Sequence, residues 1–202
     1  MPIPRREYDR TINAEIERLL YQVHVIRQDA EGLFWGLTDA QFNWSPAPGQ
    51  WSMAQCFDHL NVTNNLFLRQ FETAMRQGRA QGLLSDGPYT YGFLARWFYR
   101  LMQPPVKRRF KAPAEFAPKA GHKAVADVVA EWKRTHDEFE QLLKDANGLD
   151  LAKIKVPSPA TKMLKYNLGM AFWIMTGHDR RHIWQAREVR NDAAFPAGAT
   201  AA

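Results

Sequence analysis

The spacing of apolar side chains constrains this chain more than any other feature of its 202 residues. From Ile12 the apolar positions fall at Ile16, Leu19, Leu20, Val23, Ile26, Ala30, Leu33, Phe34 and Leu37, steps of three and four that keep one helical face dry. Residues 42–51, FNWSPAPGQW, break that pattern with Pro46, Pro48 and Gly49 and read as a loop. Ser52 then offers a side-chain cap, Gln55 completes a capping box, and Trp51 is placed to staple against Cys56. The second helix carries Met53, Phe57, Leu60, Phe67, Leu68, Phe71 and Met75 on its dry face until Gly78 and Gly82 interrupt it.

A third helix is expected over residues 122–146, where Val125, Val129, Trp132, His136, Phe139, Leu143 and Ala146 alternate steps of four and three before the stop at Asn147 and Gly148. A fourth is expected over residues 162–190, with Ala171, Met175, His178, His182, Gln185 and Val189 along its seam. Between the second and third helices, residues 89–102 form an aromatic amphipathic segment, expected to cap one end of the assembly. Between the third and fourth, Pro157 and Pro159 mark a second long connection. No strand-like alternation is strong enough to change this reading. The expected fold is all-α: one four-helix bundle domain over residues 1–190 with two long crossover connections, and a flexible alanine-rich tail over 191–202.

Composition removes several classes. An apolar fraction of 46% suffices for a real core, which argues against disorder. The single cysteine, Cys56, cannot form an internal disulfide, the start MPIPRREYDR lacks a secretory apolar stretch, and no segment approaches the ~20 apolar residues of a membrane span. A cytoplasmic setting is expected. The net charge of +6 is densest at Lys107, Arg108, Arg109 and Lys111 beside Phe110, but the other basic residues are scattered among acids, so nucleic-acid binding is the weaker reading.

The chemistry lies in the histidines. His178 and His182 are one turn apart on the seam, so both imidazoles leave the same face and can grip one ion. Buried imidazoles without partners are costly, and a shared metal is the simplest partner. His59 lies on the second helix in the arc of Cys56, Leu60 and Thr63 and can reach inward across the bundle. Three imidazoles leave coordination positions open, as catalytic rather than structural sites do. His136 and Gln185 are seam residues that could line a pocket or contact a ligand from outside, although a hydrogen-bonded core role suits His136 better. Cys56 could be a soft ligand or a small hydrophobe. His24 and His122 read as surface residues. Asp179 makes an H-D-x-x-H run, but its side chain is shorter than the glutamate of zinc proteases and no third ligand follows at a suitable spacing. Asp58 and Asp179 are expected to face solvent or to hold outer contacts.

The segments WSMAQCFDHL, residues 51–60, and HDRRHIWQ, residues 178–185, resemble those of the DinB-like family, including its YfiT-type metal-dependent hydrolases. The resemblance covers nearly the whole chain. It implies a four-helix bundle with one divalent ion (zinc, nickel, iron or manganese) held by His59, His178 and His182. It further implies a hydrolase, or a transferase using a low-molecular-weight thiol, acting on a small-molecule substrate. A thiol or water at an open position beside such an ion becomes nucleophilic near neutral pH, so one site serves both chemistries. The competing reading is a non-enzymatic metal-binding stress-response bundle, and a homodimer is compatible with either.

Overall fold

The computed structural model describes residues 11–106, 116–118, 121–158 and 161–197. Six helices and one hairpin follow in order: α1 (Ala14–Phe34), α2 (Asp39–Asn43), α3 (Met53–Ala80), α4 (Phe93–Met102), α5 (Val125–Asp145), β1 (Lys155–Ser158), β2 (Thr161–Asn167) and α6 (Leu168–Arg190). The long helices α1, α3, α5 and α6 are the four expected from the apolar spacing. Each touches two others, in the circuit α1, α6, α3, α5, so α5 and α6 stand diagonally across the bundle.

Local chemistry sets the starts. Ser52 accepts from the Gln55 backbone N–H while the Gln55 side chain accepts from the Ser52 N–H, the reciprocal cap read from the sequence. An unforeseen second box, Thr38 with Gln41, starts the short α2 inside the first connection. The third long helix begins at Val125 rather than 122. Lys123, just before it, is tied outside the helix by Asn43, whose Oδ1 accepts from the Lys123 N–H and whose Nδ2 donates to its carbonyl.

The fourth long helix begins at Leu168, not 162, which corrects the expectation that the chain holds no strand. Residues 161–167 pair antiparallel with β1, matching Val156 to Tyr166 and Lys155 to Asn167. Val156 and Ser158 are buried while Lys155 and Pro157 are exposed, the two-residue period of a strand. Such a short hairpin carries too few alternations to stand out from a neighbouring 23-residue helix. The aromatic segment also differs from its expected place. Helix α4 lies along α6 instead of over an end, with Tyr91 against Gly169 and Tyr99 against Gly177.

The core divides in two. One cluster gathers Leu19, Phe67, Phe71, Phe139, Phe172 and Met175, and the other gathers Ile26, Phe42, Phe57, Trp132 and Ile183. Each fully buried side chain of this size contributes roughly 1.5–3 kcal/mol. Between the clusters along the chain run buried polar residues: Asn61 and Asn64 on α3, Thr135 and His136 on α5, Thr176 and Asp179 on α6. At the C-terminal side, Phe195 packs edge-on to Trp44 and Gln41 Nε2 donates to the Pro196 carbonyl, so residues 195 and 196 meet the first connection. Among the described residues no helix is long and apolar enough to cross a membrane.

Crowding at one position and open space at the other make two helical glycines behave oppositely. A methyl group at Gly169 would collide with the Tyr91 hydroxyl, which donates to Glu15 Oε1 at 2.7 Å. Gly32 on α1 has nothing within 4 Å of that position. Gly169→Ala is expected to destabilise by about 1–3 kcal/mol through overpacking. Gly32→Ala is expected to stabilise by about 0.5–1 kcal/mol by restricting the unfolded chain. Urea midpoints that shift in the same direction for both would refute this account of the Tyr91–Gly169 contact.

Candidate metal centre

His59 sits two turns into α3, just beyond the Ser52 cap, and His178 and His182 sit one turn apart on α6. Since α3 and α6 are neighbours in the circuit, the three imidazoles meet. Each offers one ring nitrogen, and these three atoms lie within 4.8 Å of one another. Ring centroids are 5.0 Å apart for His59 and His178, 4.6 Å for His59 and His182, and 4.6 Å for His178 and His182. His59 and His182 are buried, and His178 keeps part of its surface exposed.

Neighbouring groups orient the rings. His59 Nδ1–H donates to the carbonyl oxygen of Phe116 at 2.5 Å, which turns Nε2 toward the cluster as a bare lone pair in the neutral ring. His182 Nδ1–H donates to Gln185 Oε1 at 3.1 Å and frees its Nε2 in the same way. Gln185, read from the sequence as either an orienting or a packing residue, is thus in hydrogen-bond contact with His182. Trp51 covers the group, stacked on His182 at 5.7 Å and 26° and lying 5.0 Å from His59. The sequence reading placed Trp51 only against Cys56. The Phe116 carbonyl was missed altogether, because a backbone acceptor 57 positions away leaves no residue-type signal.

The donor set fits a divalent cation. His59 Nε2 and His178 Nε2 are 3.1 Å apart. Two imidazoles at the usual metal–nitrogen distance of ~2.0–2.1 Å, bound at adjacent positions, stand about 3.0–3.4 Å apart. Without a cation, one of these nitrogens must hold a proton for the other, and His178 Nδ1 is buried with no hydrogen-bond partner among the described residues.

Burial also keeps the rings unprotonated, the form that can ligate a metal. His178 is lowered from histidine's ordinary range to about 3, by desolvation first and then by the positive charge that His59 and Arg181 place nearby. His182 is lowered by the same effects, partly opposed by its bond to Gln185. Desolvation lowers His59 as well, against the Phe116 carbonyl and the Asp58 and Asp179 carboxylates.

The other candidates lie elsewhere. His24 and His122 are exposed, as expected. Cys56 is fully buried in the apolar cluster of Phe57 and Trp132, and burial pushes its thiol pKa up, which disfavours the thiolate that ligates metals. His136 is fully buried with its ring 4.1 Å from Trp132, and its Nε2 lies 3.2 Å from Asp179 Oδ2. Asp179 is fully buried, which settles its two expected places in favour of internal contacts. Asp58 is nearly buried and pairs with Lys123 at 3.3 Å. The basic cluster at Lys107, Arg108, Arg109 and Lys111 lies outside the described residues. Clefts of about 650 Å³ beside Glu15, Arg18 and Tyr89, and about 300 Å³ beside Ser52, Gln55 and Lys123, are not lined by the three histidines.

A histidine from the start of the second long helix meeting an i, i+4 pair in the last, across a bundle with two long crossovers, is the arrangement that the sequence resemblance implied. The family model of the DinB superfamily matches residues 22–186, a span that includes all three histidines. The chain belongs to the DinB superfamily. Neither curated proteins nor solved structures gave a match to it. This DinB-type bundle therefore has a three-histidine group able to hold a metal ion.

The depressed pKa values fix the direction of the apo protein's pH response. In the unfolded chain the histidines take up protons near ~6.5, whereas folded His178 resists protonation until about pH 3. Below ~6.5 the unfolded state binds more protons, so stability is present above that pH and is lost as pH falls toward 3. For chelated protein, His178 is expected to remove up to about 2 kcal/mol between pH 6.5 and 5, and His178→Gln should make that limb shallower while His59 and His182 keep part of it. A wild-type melting temperature unchanged from pH 7.5 to 5 would contradict the assignment.

Proposed function

We propose that this DinB-superfamily protein is a metal-dependent enzyme acting on a small molecule, with His59, His178 and His182 as ligands of one divalent ion. The carrying observation is the 3.1 Å approach of two Nε2 atoms within a buried group of three imidazoles. The reaction is hydrolysis, or group transfer involving a low-molecular-weight thiol. A bound divalent ion supplies Lewis acidity, which makes water or a small thiol nucleophilic near neutral pH.

The chain's own residues supply the setting. Phe116 and Gln185 fix the tautomers of His59 and His182, Trp51 shields those two rings, and the partly exposed His178 marks the side open to a substrate. Three protein ligands leave a coordination position free, whereas structural sites close with four. That count favours catalysis over storage or a purely structural role.

Protein purified without a nickel column and reconstituted with zinc, nickel, iron(II) or manganese should hold about one ion per chain by elemental analysis. His178→Ala and His182→Ala should lose it, and His24→Ala and His122→Ala should keep it. Helical circular dichroism should survive chelation, because two apolar clusters hold the bundle independently of the ion. Loaded protein should cleave model esters or amides, or join a small thiol to an electrophile, at a rate abolished by His182→Ala. Metal binding without either activity would leave the non-enzymatic bundle as the correct reading, and equal metal retention by all four histidine variants would overturn the site.

A further inference from the structure

Asp179 is a fully buried carboxylate one residue from His178, and its side chain meets groups outside the three-histidine group, including one on the diagonal helix α5. Asn64 Nδ2 of α3 donates to its Oδ1 at 3.1 Å. His136 Nε2 of α5 lies 3.2 Å from its Oδ2, at ion-pair distance but too poorly angled for a hydrogen bond. Among the described residues, Oδ2 of Asp179, both ring nitrogens of His136 and Oδ1 of Asn64 have no hydrogen-bond partner. An aspartate so placed costs desolvation that these contacts only partly offset, since its partners are an amide and an imidazole rather than a lysine or arginine. Packing offers no reason for it, because an apolar side chain would join the two core clusters without orphaned atoms.

The electrostatic demand of the neighbouring site supplies the reason. Three neutral imidazoles bring no charge to set against a divalent cation, and the Arg181 cation bears unfavourably on His178 and His182. Two carboxylates act on His59 in the opposite sense, Asp58 and Asp179. Asp58 is paired with Lys123, which cancels much of its charge. Asp179 is held where solvent cannot screen it.

We propose that Asp179 is the buried counter-charge of the metal centre, a positioning residue that does not ligate but whose carboxylate, fixed by Asn64 and His136, makes the three-histidine group favourable to a divalent cation. Asp179 supplies the one acidic group of the unit that it forms with Asn64 and His136 at the middle of the bundle. The same unit links α3, α5 and α6 at the level of the ligands, so the charge and the spacing of the ligand-bearing helices are set together. This rests on the three-histidine reading.

The test uses full-length protein and zinc alone, with affinity measured by competition against a chromophoric chelator and apo stability measured by melting in the presence of excess chelator. Wild type and His182→Ala report the three-histidine reading: zinc bound by the first and lost by the second. Asp179→Asn keeps the shape and removes the charge. It is expected to weaken zinc binding about tenfold or more while leaving the apo melting temperature unchanged or higher. His136→Gln, which keeps the carboxylate and can donate to it, should stay within about threefold of wild type. Asp58→Asn should change affinity less than Asp179→Asn. Should Asp179→Asn not fold, the double variant Asp179→Asn/His136→Gln pairs two amides in the same space and should still lose the affinity. Unchanged zinc affinity in the charge-free variants overturns the proposal while leaving the metal site intact. A fall in affinity matched by an equal fall in apo stability also overturns it, since that is the signature of a packing role.

Discussion

The interaction on which this structure turns is the meeting of polar side chains inside a helical bundle, where each buried imidazole or carboxylate must find a partner or destabilise the fold. A four-helix bundle tolerates such a region only if every helix that enters it is held on both sides by apolar contacts. Here the seam of α3 runs from Phe57 and Leu60 through Asn61 and Asn64 to Phe67 and Phe71, and that of α6 runs from Phe172 and Met175 through Thr176 and Asp179 to Ile183 and Ala186. Apolar packing above and below fixes the backbone positions that let three imidazoles converge.

That division explains what could be read from the sequence. The four long helices were legible because three carry five or more apolar positions at helical spacing and the fourth continues the same spacing through Ala171, Met175, His178, His182, Gln185 and Val189. The α3 start was legible because the Ser52 and Gln55 cap is a local device. The α6 start was not, since a strand of seven residues beside a long helix is decided by its pairing partner, β1. Helix α4 was seen as amphipathic but misplaced, because amphipathicity says that a face is covered without saying which helix covers it.

The same distinction applies within the site. His178 and His182 announce themselves by an i, i+4 spacing on one seam, and His59 by its place on another, so the three could be gathered from helical periodicity alone. The groups that orient them could not. The Phe116 carbonyl belongs to a connection, Trp51 precedes a helix and could equally staple its first turn, and Asp179 has the sequence context of a surface residue beside two arginines. Tertiary structure alone converts that aspartate into the most completely buried charge-bearing neighbour of the histidines, with 0% exposure.

Membership of the DinB superfamily then acquires a physical meaning. The ligands come from two regular helices whose relative position is locked by the two apolar clusters, while Trp51 and Phe116 come from connections. Helices hold donor atoms to the few tenths of an ångström that coordination requires, and connections can change length and composition without disturbing them. A bundle built in this way keeps its donor set while the walls around it vary. The capacity to hold a metal ion is consequently a property of the helical scaffold rather than of the crossovers laid over it.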